Sequence, residues 1–260
     1  MNSGYTDELP LLYDHVALYG SRGDIGFYVD LARGTKGDVL ELGCGSGRIL
    51  LPIARLGKRI DGLDSSEAML ARCARKLDAE PNSVKAKVSL HGGDARGFDL
   101  GRVFALVIAP FRVLQNLCSI DDQLGFLRSA ARHLAGDGRL AFDVFNPNFS
   151  AMVASDGIER EDTPPTTLPD GRVFRRTARV KRVRRVDQIS EIDLTYYLIN
   201  ASGEDVPLFV HSLEMRWYLR SELVHLIERS GMAIEAIYGD FDGSPLTDAS
   251  PEIIAITRPK

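Results

Sequence analysis

The 260-residue sequence has few cysteines, little net charge and no long hydrophobic run. Its three cysteines, Cys44, Cys73 and Cys118, are scattered and odd in number, so we predict neither a disulfide framework nor a metal site. The same cysteine usage favours a reducing cytoplasm. The net charge of −4 gives no general attraction to nucleic acid or to a membrane surface. The longest apolar run, at 103–111, is far too short to span a bilayer.

Other features are also missing. The first ten residues are polar and acidic and lack the apolar segment of a signal peptide. The chain shows no internal repeat and no low-complexity tract. It does have 44% hydrophobic residues, which is enough for one sizeable core at this length. The composition therefore predicts a cytoplasmic globular protein.

Between residues 38 and 146 the apolar pattern alternates between strands and helices. The predicted strands cover 39–42, 59–63, 88–91, 103–109 and 139–145. The predicted helices cover 48–56, a segment that starts at an Asp64 or Ser65 cap, and 121–134. Pro52 lies deep enough in the first helix to bend or loosen its start. This alternation predicts parallel strands with right-handed crossovers in an open, doubly wound α/β sheet.

The pattern changes after residue 148. A polar loop is predicted over 149–170, followed by three strand-like runs with no helix between them, at 172–186, 189–200 and 207–217. A helix at 220–229 and strands at 233–238 and 252–257 then complete the sheet. The sequence thus predicts an α/β protein with a mostly parallel seven-stranded sheet and an antiparallel β-meander insertion. The predicted parts of this single domain are an N-terminal helical cap (1–37), a cofactor-binding half (38–148), the insertion (149–217) and a C-terminal completion (218–260).

The first predicted strand runs directly into a glycine-rich loop, Gly43-Cys44-Gly45-Ser46-Gly47. Glycines at a strand-to-helix turn let backbone approach a ligand, because a Cβ there would obstruct it. Dinucleotides and S-adenosylmethionine are the two ligand classes that compete for such a loop. The dinucleotide fingerprint needs a small residue at its sixth position, where this chain has Arg48. The loop therefore disfavours a dinucleotide, and a plain tight turn is the structural alternative.

The run Val-Leu-Glu-Leu-Gly-Cys-Gly-Ser-Gly-Arg at 39–48 resembles the first motif of class I methyltransferases, which has an acidic residue two positions before the first glycine, as Glu41 is here. Asp64 stands where that family binds the ribose hydroxyls. The segment 91–95 resembles the end of the family's third strand, where Asp94 would accept from the adenine amino group and Ala95 would donate a backbone N–H. The alternatives are that Asp64 is only a helix cap and Asp94 only a turn aspartate.

This resemblance covers about 38–146 and implies S-adenosylmethionine as cofactor and S-adenosylhomocysteine as product. The cofactor residues it implies, including those of the N-terminal segment considered next, are Glu41, Gly43, Cys44, Gly45, Gly47, Asp64, Ser65, Asp94, Ala95, Ala109, Tyr13 and Arg22.

The N-terminal stretch from Tyr13 through Arg22 to Tyr28 resembles the entry segment of small-molecule N-methyltransferases. Those that act on nucleotide-linked amino sugars are similar in layout, and glycine-type enzymes are a looser match. That group also carries an antiparallel insertion after the fifth strand. The resemblance implies that Tyr13, Tyr19 or Arg22 covers the methionine end of the cofactor. The alternative is that Tyr13 and Phe27 merely pack a cap helix.

Segments at the carboxyl edge of the sheet are the candidates for contact with the methyl acceptor. The fourth-strand exit, 109–112, lacks the Asn or Asp found in methyltransferases that modify amino groups of nucleobases or glutamine, so adenine-type N6 methylation is disfavoured. The predicted substrate residues are Phe111, Arg112, Gln115 and Tyr19. A hydroxyl acceptor would need a base such as His211 or Asp143, whereas an amine needs only to arrive deprotonated. Because His211 shares its strand parity with apolar residues, a buried structural role is the alternative.

Residues 172–185 contain eight basic side chains: Arg172, Arg175, Arg176, Arg179, Lys181, Arg182, Arg184 and Arg185. Such a face could bind a phosphorylated substrate, or RNA in an RNA methyltransferase. The alternative, favoured by the net negative charge and the few interleaved aromatics, is a hairpin whose arginines pair with Glu191, Asp193 and Glu204.

The predicted function is methyl transfer to a nitrogen or oxygen atom of a small molecule, without nucleic-acid or membrane partners. An RNA methyltransferase and a non-catalytic cofactor-binding protein remain open alternatives, and so does the oligomeric state, including a homodimer.

Overall fold

The computed structural model describes residues 8–20, 22–154 and 157–260. Its helices are α1 (Leu9–Tyr13), α2 (Ala17–Gly20), α3 (Asp24–Gly34), α4 (Leu50–Arg55), α5 (Glu67–Asp78), α6 (Asn82–Lys85), α7 (Ile120–Arg132), α8 (Phe149–Ala154) and α9 (Arg220–Arg229), with a 3-10 helix at Val113–Asn116. Its strands are β1 (Val39–Leu42), β2 (Ile60–Asp64), β3 (Val88–Gly92), β4 (Phe104–Ala109), β5 (Leu134–Phe145), β6 (Glu159–Thr167), β7 (Val173–Arg184), β8 (Ile189–Ile199), β9 (Asp205–Arg216), β10 (Met232–Tyr238) and β11 (Glu252–Pro259). The predictions for the first seven residues, and for two residues of the predicted loop, lie outside the described residues.

The described residues divide into two compact units. The core unit consists of Gly23–Pro147 and Trp217–Lys260. The meander unit consists of the described residues within Met1–Arg22 and Asn148–Arg216. The prediction that the whole chain is one domain stays a prediction. Across the parts of the chain that the structure describes, no helix is both long and apolar enough to cross a membrane.

The core unit contains a seven-stranded sheet in the order β10-β11-β5-β4-β1-β2-β3. Strands β1 to β5 pair in parallel, and β11 runs antiparallel to both β5 and β10. This confirms the predicted doubly wound, mostly parallel sheet. The strand order reverses between β1 and β4, which are neighbours, and the carboxyl ends of parallel strands at such a point form the usual ligand crevice.

Both faces of the sheet are covered, which explains the nearly continuous apolar runs of β1 and β4. Leu40 and Leu42 of β1 pack in a core cluster with α7 and α9. Val39 packs on the other face with α3 and α4. Since side chains alternate along a strand, Glu41 projects toward the α3–α4 face. The same parity places Ala141 of β5 in the α3–α4 cluster and, by alternation, Asp143 on that side.

Two helix starts differ from their predictions. Helix α4 begins at Leu50, two residues later than predicted, so that Pro52 falls in its first turn, where a missing N–H costs little. Arg48 and Ile49, which were predicted to be helical, lie in a turn that precedes α4. Helix α5 is capped by Ser66, whose hydroxyl accepts from the Met69 N–H at 3.3 Å, and not by Asp64 or Ser65.

The meander unit contains a four-stranded antiparallel sheet in the order β6-β7-β8-β9. Three of its strands match the predicted runs closely, but the predicted polar loop at 149–170 is wrong, because α8 and β6 lie there. Prolines 164 and 165 suggested a loop, yet β6 is an edge strand that tolerates proline, and register shifts between Glu161 and Thr166 accommodate the pair.

Candidate functional site

The three glycines of the loop after β1 all adopt left-handed backbone, with φ of +71° at Gly43, +52° at Gly45 and +83° at Gly47. A Cβ at Gly43 would lie 2.5 Å from Val113 Cγ2, and one at Gly47 would lie 2.7 Å from Cys73 Sγ. A Cβ at Gly45 would meet no atom of the described residues within 4 Å. The outer glycines are therefore required by packing, whereas Gly45 presents bare backbone to open space.

Asp64, at the end of β2, holds this loop. Its Oδ2 accepts from the Gly45 N–H at 2.7 Å, and its Oδ1 accepts from the Ser66 N–H at 2.8 Å. Burial raises the pKa of Asp64, and these backbone hydrogen bonds act in the opposite direction. Each carboxylate oxygen has more than one acceptor site, so the half-buried group retains capacity for a further donor. The structure thus joins two of the predicted cofactor residues directly.

Glu41, at the end of β1, is 2% exposed. Burial raises the pKa of Glu41 well above its ordinary value, while the nearby Arg48 guanidinium acts to lower it. Its Oε2 has no hydrogen-bond partner among the described residues. A buried acceptor of this kind is costly unless a donor arrives. The end of β1 therefore suits a ligand that brings a cationic or N–H group.

We expect Glu41→Gln to change how stability depends on pH. Because the folded-state pKa is raised, the folded protein keeps a proton that the unfolded chain has already lost, so the free energy of unfolding falls as pH rises from the ordinary Glu value to the raised value. Glutamine cannot titrate, so the Glu41→Gln protein should lack this pH dependence. Above the raised pKa of Glu41, the variant should have a higher free energy of unfolding than the native protein. Urea unfolding between about pH 4 and about pH 8 measures it, with the exposed Glu67→Gln as control. Parallel curves for the native and Glu41→Gln proteins would contradict the expectation.

Asp94, after β3, is exposed and paired within its own turn. Its Oδ1 accepts from the backbone N–H and the Nε of Arg96, both at 2.9 Å. The Arg96 guanidinium holds the pKa of Asp94 below its usual range, and it also bonds Asp122 of α7 at 3.0 Å. These contacts favour the alternative of a turn aspartate, and the adenine contacts of Asp94 and Ala95 stay predictions. Of the remaining predicted cofactor residues, Ser65 is exposed while Cys44 and Ala109 are buried.

The turn after β4 has an unusual backbone. Phe111 and Arg112 are consecutive non-glycine residues with φ of +61° and +65°. Such conformations are costly and persist only where neighbouring groups hold them. Asp143 Oδ1 accepts from the Phe111 N–H at 2.9 Å, and Arg112 Nη2 donates to Glu252 Oε1 at 2.6 Å. Two of the four predicted substrate residues therefore lie in one anchored turn.

Two other predicted residues are buried instead of facing solvent. Gln115 is fully buried, and its Oε1 accepts from the Phe145 N–H at 2.8 Å. Asp143 is also fully buried, and its Oδ1 accepts from the Tyr28 hydroxyl at 2.7 Å as well as from Phe111. Direct contact with a substrate by either side chain would require this packing to open. The sequence did not indicate that both side chains accept hydrogen bonds from backbone N–H groups.

Helix α3 makes two contacts with the site that were not predicted from the sequence. Asp24 is buried, and its two carboxylate oxygens accept hydrogen bonds from Nη1 and Nη2 of Arg48, at 2.7 and 2.6 Å. The Arg48 guanidinium also lies 4.9 Å from the centre of the Phe111 ring. The second contact is that of Tyr28 with Asp143. Asp24 and Tyr28 are spaced i, i+4, so they share one helix face, and this spacing was the available signal.

The remaining candidates lie in the meander unit. The rings of Tyr13 and Tyr19 are 4.5 Å apart, and the Tyr19 hydroxyl accepts from Nη1 of the buried Arg176 at 2.7 Å. His211 is half-buried, and burial lowers its pKa, as does the nearby Arg176 charge. The predicted roles of these residues and of Arg22 stay predictions.

The basic run at 172–185 is largely neutralised. Six of its eight side chains form ion pairs with carboxylates of the meander unit, namely Arg172, Arg175, Arg176, Arg179, Lys181 and Arg184. Glu191 and Asp193 are partners, as predicted, but Arg175 pairs with Asp205, while Glu204 bonds Asn200 and Ser202. Paired charges of this kind disfavour an RNA-binding face.

No group of three or more His, Cys, Asp or Glu side chains within the described ranges forms a potential metal site.

Comparison with known proteins gives a consistent picture. Residues 39–138 match a family model described as a methyltransferase domain. A relative named dTDP-3-amino-3,6-dideoxy-alpha-D-glucopyranose N,N-dimethyltransferase, from Streptomyces fradiae, is 25% identical over 263 residues, covering 98% of this chain and 95% of the relative.

Two solved structures share the fold over most of their length. One is the CcbJ methyltransferase from Streptomyces caelestis, with a TM-score of 0.74, 23% identity and coverage of 92% of this chain and 95% of that one. The other is CalS10, an amino pentose methyltransferase from Micromonospora echinaspora bound to S-adenosylmethionine, with a TM-score of 0.67, 24% identity and coverage of 90% and 89%. At these identities the likeness concerns the fold.

Proposed function

The chain is a class I, S-adenosylmethionine-dependent methyltransferase, and we propose that it methylates an amino nitrogen of a small molecule, with nucleotide-linked amino sugars as the acceptor class. The name of the Streptomyces fradiae relative, which aligns over nearly the whole chain, supports an amine over a hydroxyl. The neutralised basic run argues against RNA. A cytoplasmic location, suggested by the cysteine usage, belongs to the same proposal.

The observation that carries the proposal is the arrangement of Gly45, Asp64 and Glu41 at the carboxyl ends of two adjacent strands. Gly45 leaves room for a ligand, and Asp64 can accept from sugar hydroxyls. The Glu41 Oε2, which has no hydrogen-bond partner in the part of the chain that the structure describes, can accept from a cationic or N–H group. We propose these three as the main cofactor residues. When bound, S-adenosylmethionine supplies an already activated methyl group.

The protein's main task is then to align the acceptor. Alignment of two bound reactants can lower a barrier by up to about 7–11 kcal/mol. An amine that arrives deprotonated needs no protein base, so this chain requires a shaped and rigid acceptor site more than a general base. We propose that the anchored turn at Phe111 and Arg112 forms part of that site.

Calorimetric titration with S-adenosylhomocysteine tests the cofactor assignment, and saturable binding is expected. Incubation with S-adenosylmethionine and a nucleotide-linked amino sugar should then yield methylated product by mass spectrometry. The same nucleotide sugar with a hydroxyl in place of the amine is the matched control and should stay unmodified. Absence of cofactor binding would refute the assignment, and methylation of RNA, or of the hydroxyl sugar alone, would refute the acceptor class.

A further inference from the structure

One face of α3 contacts two parts of the candidate site, the residue after the glycine loop and the end of β5. Asp24 binds Arg48, which directly follows the glycine loop. Tyr28, one helical turn later, donates its hydroxyl to Asp143 at 2.7 Å. Tyr28 is fully buried and packs against the ring of Phe27, whose centre is 5.3 Å away. A single rigid helix therefore braces the loop after β1 and the end of β5.

Asp143 connects Tyr28 of α3 to the turn after β4 by hydrogen bonds. Its Oδ1 accepts two hydrogen bonds, one from Tyr28 and one from the backbone N–H of Phe111. Phe111 and Arg112 both need left-handed backbone, which is unfavourable for side-chain-bearing residues. The hydrogen bond at Phe111 lies at the start of this strained pair, so it is well placed to stabilise it.

The turn is linked to the glycine loop through the residues that follow each of them, Val113 after the turn and Arg48 after the loop. A Cβ added to Gly43 would lie 2.5 Å from Val113 Cγ2, so the side chain of Val113 fills the space that the glycine leaves. The Arg48 guanidinium lies over the Phe111 ring at 4.9 Å. The contacts of Val113 with Gly43 and of Arg48 with Phe111 therefore set the position of the turn relative to the loop.

We propose that Tyr28 and Asp143 are positioning residues, which hold the Phe111–Arg112 turn against the glycine loop, and that Asp143 takes no proton from the acceptor. Asp143 has no exposed surface, and one of its oxygens already accepts two hydrogen bonds. This inference rests on the proposed function, because it concerns how the acceptor side of that site is kept in place. It differs from the sequence-based prediction, in which Asp143 was a candidate base.

Tyr28→Phe tests the brace, since it removes one hydroxyl and leaves Asp143 intact. We expect kcat to fall about tenfold, the effect of losing a hydrogen bond to a charged group, while affinity for S-adenosylhomocysteine stays within about threefold. Gly45 of the loop keeps its hydrogen bond to Asp64, and Arg48, which follows the loop, keeps its hydrogen bonds to Asp24, so affinity should persist. The matched control is Tyr238→Phe, because Tyr238 packs on the same Phe27 ring and is no hydrogen-bond donor to Asp143 in the described structure. It should retain the native kcat.

Asp143→Asn separates positioning from base catalysis. The amide oxygen can still accept both hydrogen bonds, but the side chain can no longer take a proton. The dependence of kcat on pH should therefore keep its position in Asp143→Asn and in Tyr28→Phe. A native kcat in Tyr28→Phe, or loss of the acidic limb of the profile in Asp143→Asn alone, would overturn the proposal. If the native protein binds no cofactor, the proposed function fails. If the native protein is active and Tyr28→Phe is equally active, only the positioning proposal fails.

Discussion

Gly45→Ala is expected to weaken S-adenosylhomocysteine binding by about a hundredfold, as measured by calorimetry. Gly45 has φ of +52°, and left-handed backbone costs a residue with a Cβ roughly 1–2 kcal/mol. The added methyl group would also enter the open space beside the loop, where we place the cofactor. The methyl group in the ligand space opposes binding, whereas the backbone cost destabilises the folded protein with or without ligand.

Gly57→Ala is the matched control for this prediction. Gly57 follows α4 and has φ of +84°. A Cβ added there, as at Gly45, would meet no atom within 4 Å among residues 8–20, 22–154 and 157–260. Both variants should therefore lose a similar roughly 1–2 kcal/mol of unfolding free energy. Only Gly45→Ala should lose affinity. Equal affinity losses in the two variants would mean that the space beside Gly45 is not the cofactor site.

Asp64→Ala is expected to weaken S-adenosylhomocysteine binding by about tenfold or more, the scale of a lost hydrogen bond to a charged group. The substitution removes the acceptor proposed for the sugar hydroxyls. It also leaves the N–H groups of Gly45 and Ser66 without the carboxylate that now orders the loop. Calorimetric titration of the purified variant measures the change.

Two controls separate the direct and indirect effects of Asp64. Glu67→Ala removes an exposed carboxylate three residues away and should leave affinity unchanged. Asp64→Asn keeps an acceptor oxygen for one backbone N–H but lacks the charge, so its affinity should lie between those of Asp64→Ala and the native protein. Native affinity in Asp64→Ala would remove this residue from the cofactor site.

Local patterns predicted the elements that depend on local chemistry. The alternation of apolar strands and amphipathic helices from Val39 to Phe145 is a property of consecutive residues, and the observed sheet follows it closely. The glycine loop and Asp64 were likewise predictable, because adjacent parallel strands bring their carboxyl ends together. Strand β6 was missed because its prolines are tolerated only on a sheet edge, and edge position is decided by which strands pair.

The sequence alone determined the class of fold and the glycine loop that we propose as the cofactor site, since both follow from the order of residues along the chain. The tertiary structure decided which polar side chains are buried and what they hold. Asp143 and Tyr28 are 115 positions apart, and Arg112 and Glu252 are 140 apart. Contacts over such separations depend on how strands and helices pack, so no local pattern records them. In the folded protein Asp143, a candidate base from the sequence, is a buried acceptor for the Phe111 N–H.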